Sequence, residues 1–309
     1  MRLKPAPTFP LRRRALLAAP LVLAIAPARS QASTPAHSLQ AVERANVLLR
    51  RFATASLIDV PAPPSFTVPD RRPRHVFHLG QEAWIAADAL RRLHGLTSVP
   101  VPPAPSAEVS PLDVITLVGR LEEMLAELNR HFALSSTAET PPLRDGINPT
   151  HVYQALRQTN TTLRALGVGM PTPNNVYAVA ERAREEAQAI STRLMPNAQA
   201  TPIAALPDRM PVHAFEAGRA CAEALVVVTA ARRIEVPGGI RPLDLPTGRP
   251  IVPADVLEMA RSVLADLGSV KSVLGLGAVG TPSVATGRTP ADVEAVFRTS
   301  IALFQEVRS

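Results

Sequence analysis

The chain has 309 residues, with 33 Lys or Arg against 26 Asp or Glu, 32 prolines, one Cys, one Trp and two Tyr. A single cysteine excludes an internal disulfide, a C-x-x-C-H haem attachment and a cysteine zinc site. The formal charge of +7 suggests a basic protein, but six of the basic residues and no acid fall within residues 1–32. The remainder carries 27 basic residues against 26 acidic ones, with few aromatics. That balance provides neither the basic stripe nor the stacking platforms of a nucleic-acid partner.

In chain order, the first feature is an export signal. Arg2, Lys4 and Arg12–Arg14 precede the apolar run Ala15–Ala28, and small residues come after it. This order of charged, apolar and small residues predicts a secretory signal peptide over 1–32, cleaved after Ala32 or Ala28. The apolar run is too short to span a bilayer. Arg13–Arg14 followed by Ala-Leu-Leu loosely resembles a twin-arginine signal, but the ordinary signal is preferred.

Beyond it, prolines cluster between stretches whose apolar residues recur at steps of three and four. This periodicity predicts eight helices near 38–57, 76–95, 111–132, 149–167, 173–194, 211–233, 253–274 and 290–307. No period-2 run indicates a strand, so the expected fold is all-α, a helical bundle or a short repeat-like stack. Residues 33–74 read as an N-terminal helix plus Pro-rich linker, a candidate docking arm, and 75–309 as the helical domain. The helix 211–233 contains Ala-Leu-Val-Val-Val, nearly apolar all round, and is expected at the centre.

Several helix starts look alike: SPLDVI, NPTHVY, TPNNVY, VPADVL and TPADVE, with MPVHAF as a sixth. Each has Pro at the first helical position, where its missing N–H costs nothing. Asp113 and Asp292 stand at capping-box spacing from Ser110 and Thr289. The starts are 38, 24, 38, 42 and 37 residues apart, close to a repeat but broken by the step of 24.

Candidate chemistry lies along the same path. His75, His78 and Glu82 have spacings that could share a helical face and ligate a metal, but no fourth ligand accompanies them. Read as ordinary polar residues of a helix start, they need no metal. His94 and His131 fall near helix ends, where a cationic ring is favourable. Glu122–Glu123 and Glu185–Glu186 are adjacent pairs on solvated faces, and Trp84 sits among apolar residues. Gly275–Gly280, GLGAVG, has the glycine spacing of a dinucleotide turn. A helical pattern precedes the glycines, Pro282 interrupts the segment after them, and no acid lies near position 300, so the stretch reads as a helix end and loop. Cys221 reads as a small buried residue.

No catalytic, cofactor-binding or metal residue is assigned, and no cofactor is expected. The sequence points to an exported, periplasmic, non-enzymatic scaffold or protein-binding module. Its partner would be another envelope protein or a second copy of the chain. The alternative is a receptor holding an apolar small molecule or non-covalent cofactor between helices. An enzyme with a dispersed site is the third reading.

Overall fold

A computed structural model describes residues 34–62, 68 and 70–308; the expected signal peptide lies outside them. Among the described residues there are eight helices and no strand, so the chain is all-α. The helices are α1 (Pro35–Ala55), α2 (Pro73–Leu93), α3 (Pro111–His131), α4 (Pro149–Leu163), α5 (Pro173–Leu194), α6 (Pro211–Ala231), α7 (Pro253–Leu274) and α8 (Pro290–Arg308). A π-helical turn, Arg164–Val168, extends α4 and is kinked at Gly167, whose φ of 92° no right-handed helix accommodates.

Every helix starts with proline, including α1 and α2, which begin three residues earlier than the periodicity suggested. Apolar spacing alone misses that first turn. In each helix the third residue after the cap accepts the N–H of the cap residue. These acceptors are His37, His75, Asp113, His151, Asn175, His213, Asp255 and Asp292, at 2.8–3.3 Å. A neutral imidazole Nδ1 thus takes the role that a carboxylate plays in a capping box. Pro35, Pro73, Pro111 and Pro149 are each 38 residues apart. The step of 24 to Pro173 marks a junction rather than a failed repeat.

That junction separates two four-helix bundles. In the first, α1 and α2 each pack against both α3 and α4; in the second, α5 and α6 each pack against both α7 and α8. Both bundles are parallel. Pro35, Ser38, Pro73, Val76, Pro111, Val114, Pro149 and Val152 close one end of the first. The equivalent residues of α5–α8 close one end of the second. At the opposite end of the first bundle, the rings of Phe52, His94 and Phe132 meet edge to face, with centroids 4.9–5.5 Å apart.

A parallel bundle needs long returns. A 21-residue helix is about 31 Å long, and an extended proline-rich segment covers about 3 Å per residue. The segments 94–110 and 132–148 therefore reach back with length to spare. Segment 94–110 runs back along α2: Val99 N–H donates to Asp88, Trp84 Nε1–H to Val99 O, and Gln81 to Pro102 O. Segment 132–148 runs back along α1, receiving Arg51 at Ser135 and Thr137 and Gln40 at Pro141. Five helices hand over to their returns through a left-handed residue (Leu57, Gly95, Ala133, Arg233 or Gly275). An apolar residue comes next, with its N–H bonded back to the helix.

Two expectations change. The first helix is not an arm: α1 packs on α3 and α4 as one of the four helices of the first bundle. Nor is 211–233 central: α6 packs on α7 and α8 and leaves Val226 and Val227 exposed. The buried helix is α7, which is flanked by α5, α6 and α2. GLGAVG comes directly after α7, with Gly275 as its left-handed cap. Gly280 N–H donates to Glu186, and a Cβ there would strike Arg182.

Candidate functional site

The two bundles meet along α2 and α7, which run antiparallel. Arg74 and His75 at the start of α2 reach Asp266 late on α7, whereas Glu82 further along reaches Arg261, a turn earlier on α7. Antiparallel bundles place the positive helix ends of one beside the negative ends of the other, which offsets four aligned dipoles in each.

The seam is buried yet charged. Asp266 is fully buried. It accepts from Arg74 Nε at 2.9 Å, pairs with His75 Nε2 at 3.0 Å and accepts Arg241 N–H at 3.1 Å. Burial alone would raise this carboxyl, but His75, Arg74 and the Arg241 amide outweigh it, and its pKa falls to about 2. Burial lowers the His75 pKa despite Asp266. The geometry agrees: Nδ1 accepts Arg72 N–H, so the ring proton sits on Nε2 and points at Asp266. With both ring nitrogens engaged, His75 has none left for a substrate. Arg74 also reaches Glu108 at 3.0 Å, and Glu108 accepts from Ser269 at 2.5 Å.

Further along the seam, Arg71 lies 5.6 Å from the Tyr153 ring centroid and donates to Ser262. Burial and the Glu258 charge raise the Tyr153 pKa. Glu258, itself raised by burial, takes the Tyr153 hydroxyl and pairs with Arg157 at 3.3 Å. Arg249 holds Asp255 through two bonds of 2.6 and 2.7 Å.

Two cavities open on this seam. The smaller, about 380 Å³, is lined by Asn160, Thr161, Arg164, Arg249, Glu258 and neighbours. The larger, about 520 Å³, lies between α2, the return 101–104, residues 168–179 and the segment 279–285. They share Glu82, Arg164 and Met170. Glu82 is gripped by Arg164 and lies 3.5 Å from Arg261. Asn160, in the wall of the smaller cavity, leaves its amide nitrogen and oxygen without partners, and His78, in the wall of the larger, does so with Nδ1. Burial, then the charge of Arg261, pushes the His78 pKa down to about 3, so its ring is neutral. Both cavities are of ligand size, mostly apolar with a few polar groups.

The sequence placed His75, His78 and Glu82 on one face, and α2 does carry them. Across the seam they diverge: His75 goes to Asp266, His78 to the larger cavity and Glu82 to two arginines. Among the described residues no group of three or more His, Cys, Asp or Glu could hold a metal. Cys221 is buried, and burial raises its thiol to about 12 despite a hydrogen bond with Ser300. Sequence reasoning missed Asn160, Arg164, Glu258, Arg261 and Asp266. For Glu258, Arg261 and Asp266 the only trace in the sequence is a polar stripe on α7, which reads like any solvated helix face. Compared with known proteins, the chain matches no family model, no curated sequence and no solved structure.

Proposed function

We propose that this chain is an exported binding protein that holds a small amphipathic molecule in the cleft between its two bundles. One observation carries the reading: two ligand-sized cavities meet at Glu82–Arg164, and their walls hold buried polar atoms without partners. Buried polar groups are normally satisfied, so unpaired ones in residues that line a cavity suit a ligand that draws them into pairing. The acids of the seam are each held by an arginine, and His75 is fully engaged, an arrangement that favours binding over proton transfer. Export rests on the charged, apolar and small residues of 1–32, and no helix among the described residues is long and apolar enough to cross a membrane.

Native mass spectrometry on protein gently purified from its host tests the reading. The expected spectrum shows an added mass of a few hundred daltons, on a chain beginning at Ser33 or Arg29. Ala86→Trp, which pushes an indole ring into the larger cavity from its wall, should lose that mass. A bare chain, or an adduct indifferent to Ala86→Trp, would count against it.

A second reading, a scaffold that binds another envelope protein or a second copy, has the exposed Val226 and Val227 of α6 in its favour. It predicts an added mass of tens of kilodaltons, lost when both valines become serine.

A further inference from the structure

We infer that the larger cavity receives the anionic head of an amphipathic molecule, a carboxylate on an apolar body, and that Arg261 is the group that binds it. This rests on the cleft being the binding site and adds the chemistry of its occupant.

The charges of the wall do not balance. Glu82 stands between two guanidinium groups, bonded closely to Arg164 and 3.5 Å from Arg261. One carboxylate cannot neutralise both. The Arg164 side chain is 20% exposed and has water available, whereas that of Arg261 is 8% exposed. Arg261 is also poorly bonded: its Nε has no hydrogen-bond partner, and Nη1 only just reaches the His78 carbonyl, at 3.5 Å. Nearby charges are already taken. Glu258, one turn earlier on α7, holds Arg157 and the Tyr153 hydroxyl; Asp266 holds Arg74 and His75; Arg92 in the same wall is matched by Asp88.

A buried guanidinium left this way is costly, because its desolvation is not repaid by ion pairing. A carboxylate entering the cavity would repay it through charge-assisted bonds in the planar geometry that arginine offers. The rest of the lining, including Ile85, Ala86, Leu257, Leu264 and Val279, suits an apolar body. A cationic head would meet Arg164 and Arg261 with Glu82 already engaged.

Calorimetric titration of the delipidated protein with decanoate and with 1-decanol tests this. The wild type should bind decanoate roughly tenfold or more tightly than the alcohol, as expected for a hydrogen bond to a charged group. Arg261→Leu should keep its fold, since an apolar residue replaces an under-bonded charge, and should lose the preference. Ala86→Trp should lose both ligands. Equal binding of acid and alcohol, or a preference surviving in Arg261→Leu, overturns the anion assignment, while loss in Ala86→Trp still supports the cleft. No binding of either ligand, or binding unaffected by Ala86→Trp, overturns the cleft and the anion together. Should Arg261→Leu fail to fold, Arg261→Gln and the wild-type comparison decide.

Discussion

In the first bundle the third helix, α3, turns Thr116 and Arg120 to water; in the second, the third helix, α7, buries the residues at the same places, Glu258 against Arg157 and Ser262 against Arg71. Counted from Pro111 and Pro253, Thr116, Gly119, Arg120 and Met124 correspond to Glu258, Arg261, Ser262 and Asp266. The second helices show the converse. PRHVFHLG opens α2 and PVHAFEAG opens α6, sharing Pro, His, Phe and Gly. Yet His78 faces the larger cavity while Glu216 at the same place is exposed. Even the close packing is repeated: a Cβ on Gly80 would lie 2.8 Å from Leu117, and one on Gly218 2.7 Å from Met259. Prolines, caps and apolar spacing thus specify a bundle twice. A few polar residues on one outer face of α2 and α7 decide which helices join the two and where a cleft forms.

The largest test of this comparison is Asp266→Ala. It removes the buried carboxylate shared by Arg74, His75 and the Arg241 N–H and should cost about 3–5 kcal/mol in denaturant unfolding. Arg120→Ala on the solvent-facing counterpart helix should change stability by no more than about 0.5 kcal/mol.

Gly218→Val comes next. The new side chain must displace Met259 and Phe297, for about 1–3 kcal/mol. Gly80→Ala should cost less, because its nearest obstacle is a methyl of Leu117.

The seam should also weaken in mild acid. Burial, then the charge of Arg261, holds the His78 pKa near 3. As pH falls through the ordinary histidine range, the unfolded chain takes up the proton first. The stability tied to neutral His78 is therefore complete above about 6.5 and is lost progressively down to about 3. At pH 5 the loss is about 2 kcal/mol for this residue. His75, also lowered, deepens the loss, whereas Asp266 adds its own only below its ordinary value, down to about 2. Thermal melts from pH 7 to 5 should show the decline, and His78→Leu should make it shallower by about 2 kcal/mol.

The smallest effect concerns the helix ends. Ala133 holds a left-handed φ of 55°, where its counterpart after α2 is Gly95. Ala133→Gly should raise stability by about 0.5–1 kcal/mol, relief of strain exceeding the added unfolded-state entropy.

Most of the fold was legible in the sequence. The 3.6-residue period located all eight helices, and Pro starts with Asp113 and Asp292 fixed several boundaries. Pro35 and Pro73 did not read as starts because apolar spacing alone misses the first turn, and the full repeat stayed hidden with them. The site was not legible. Asp266 and Arg261 find their ion-pair partners more than 170 residues away, and a polar stripe along α7 is indistinguishable in sequence from a solvated face. Only the packing of a second bundle against it turns that stripe into a buried seam.

Hydrogen exchange with and without decanoate tests the central claim most directly, because it locates the ligand without altering the chain. The account predicts slowed exchange in residues 78–86, 101–104, 168–179 and 279–285, which surround the larger cavity, with the exposed face of α3 unchanged. Protection confined to the Val226–Val227 face of α6, or none around the seam at saturating ligand, would contradict it.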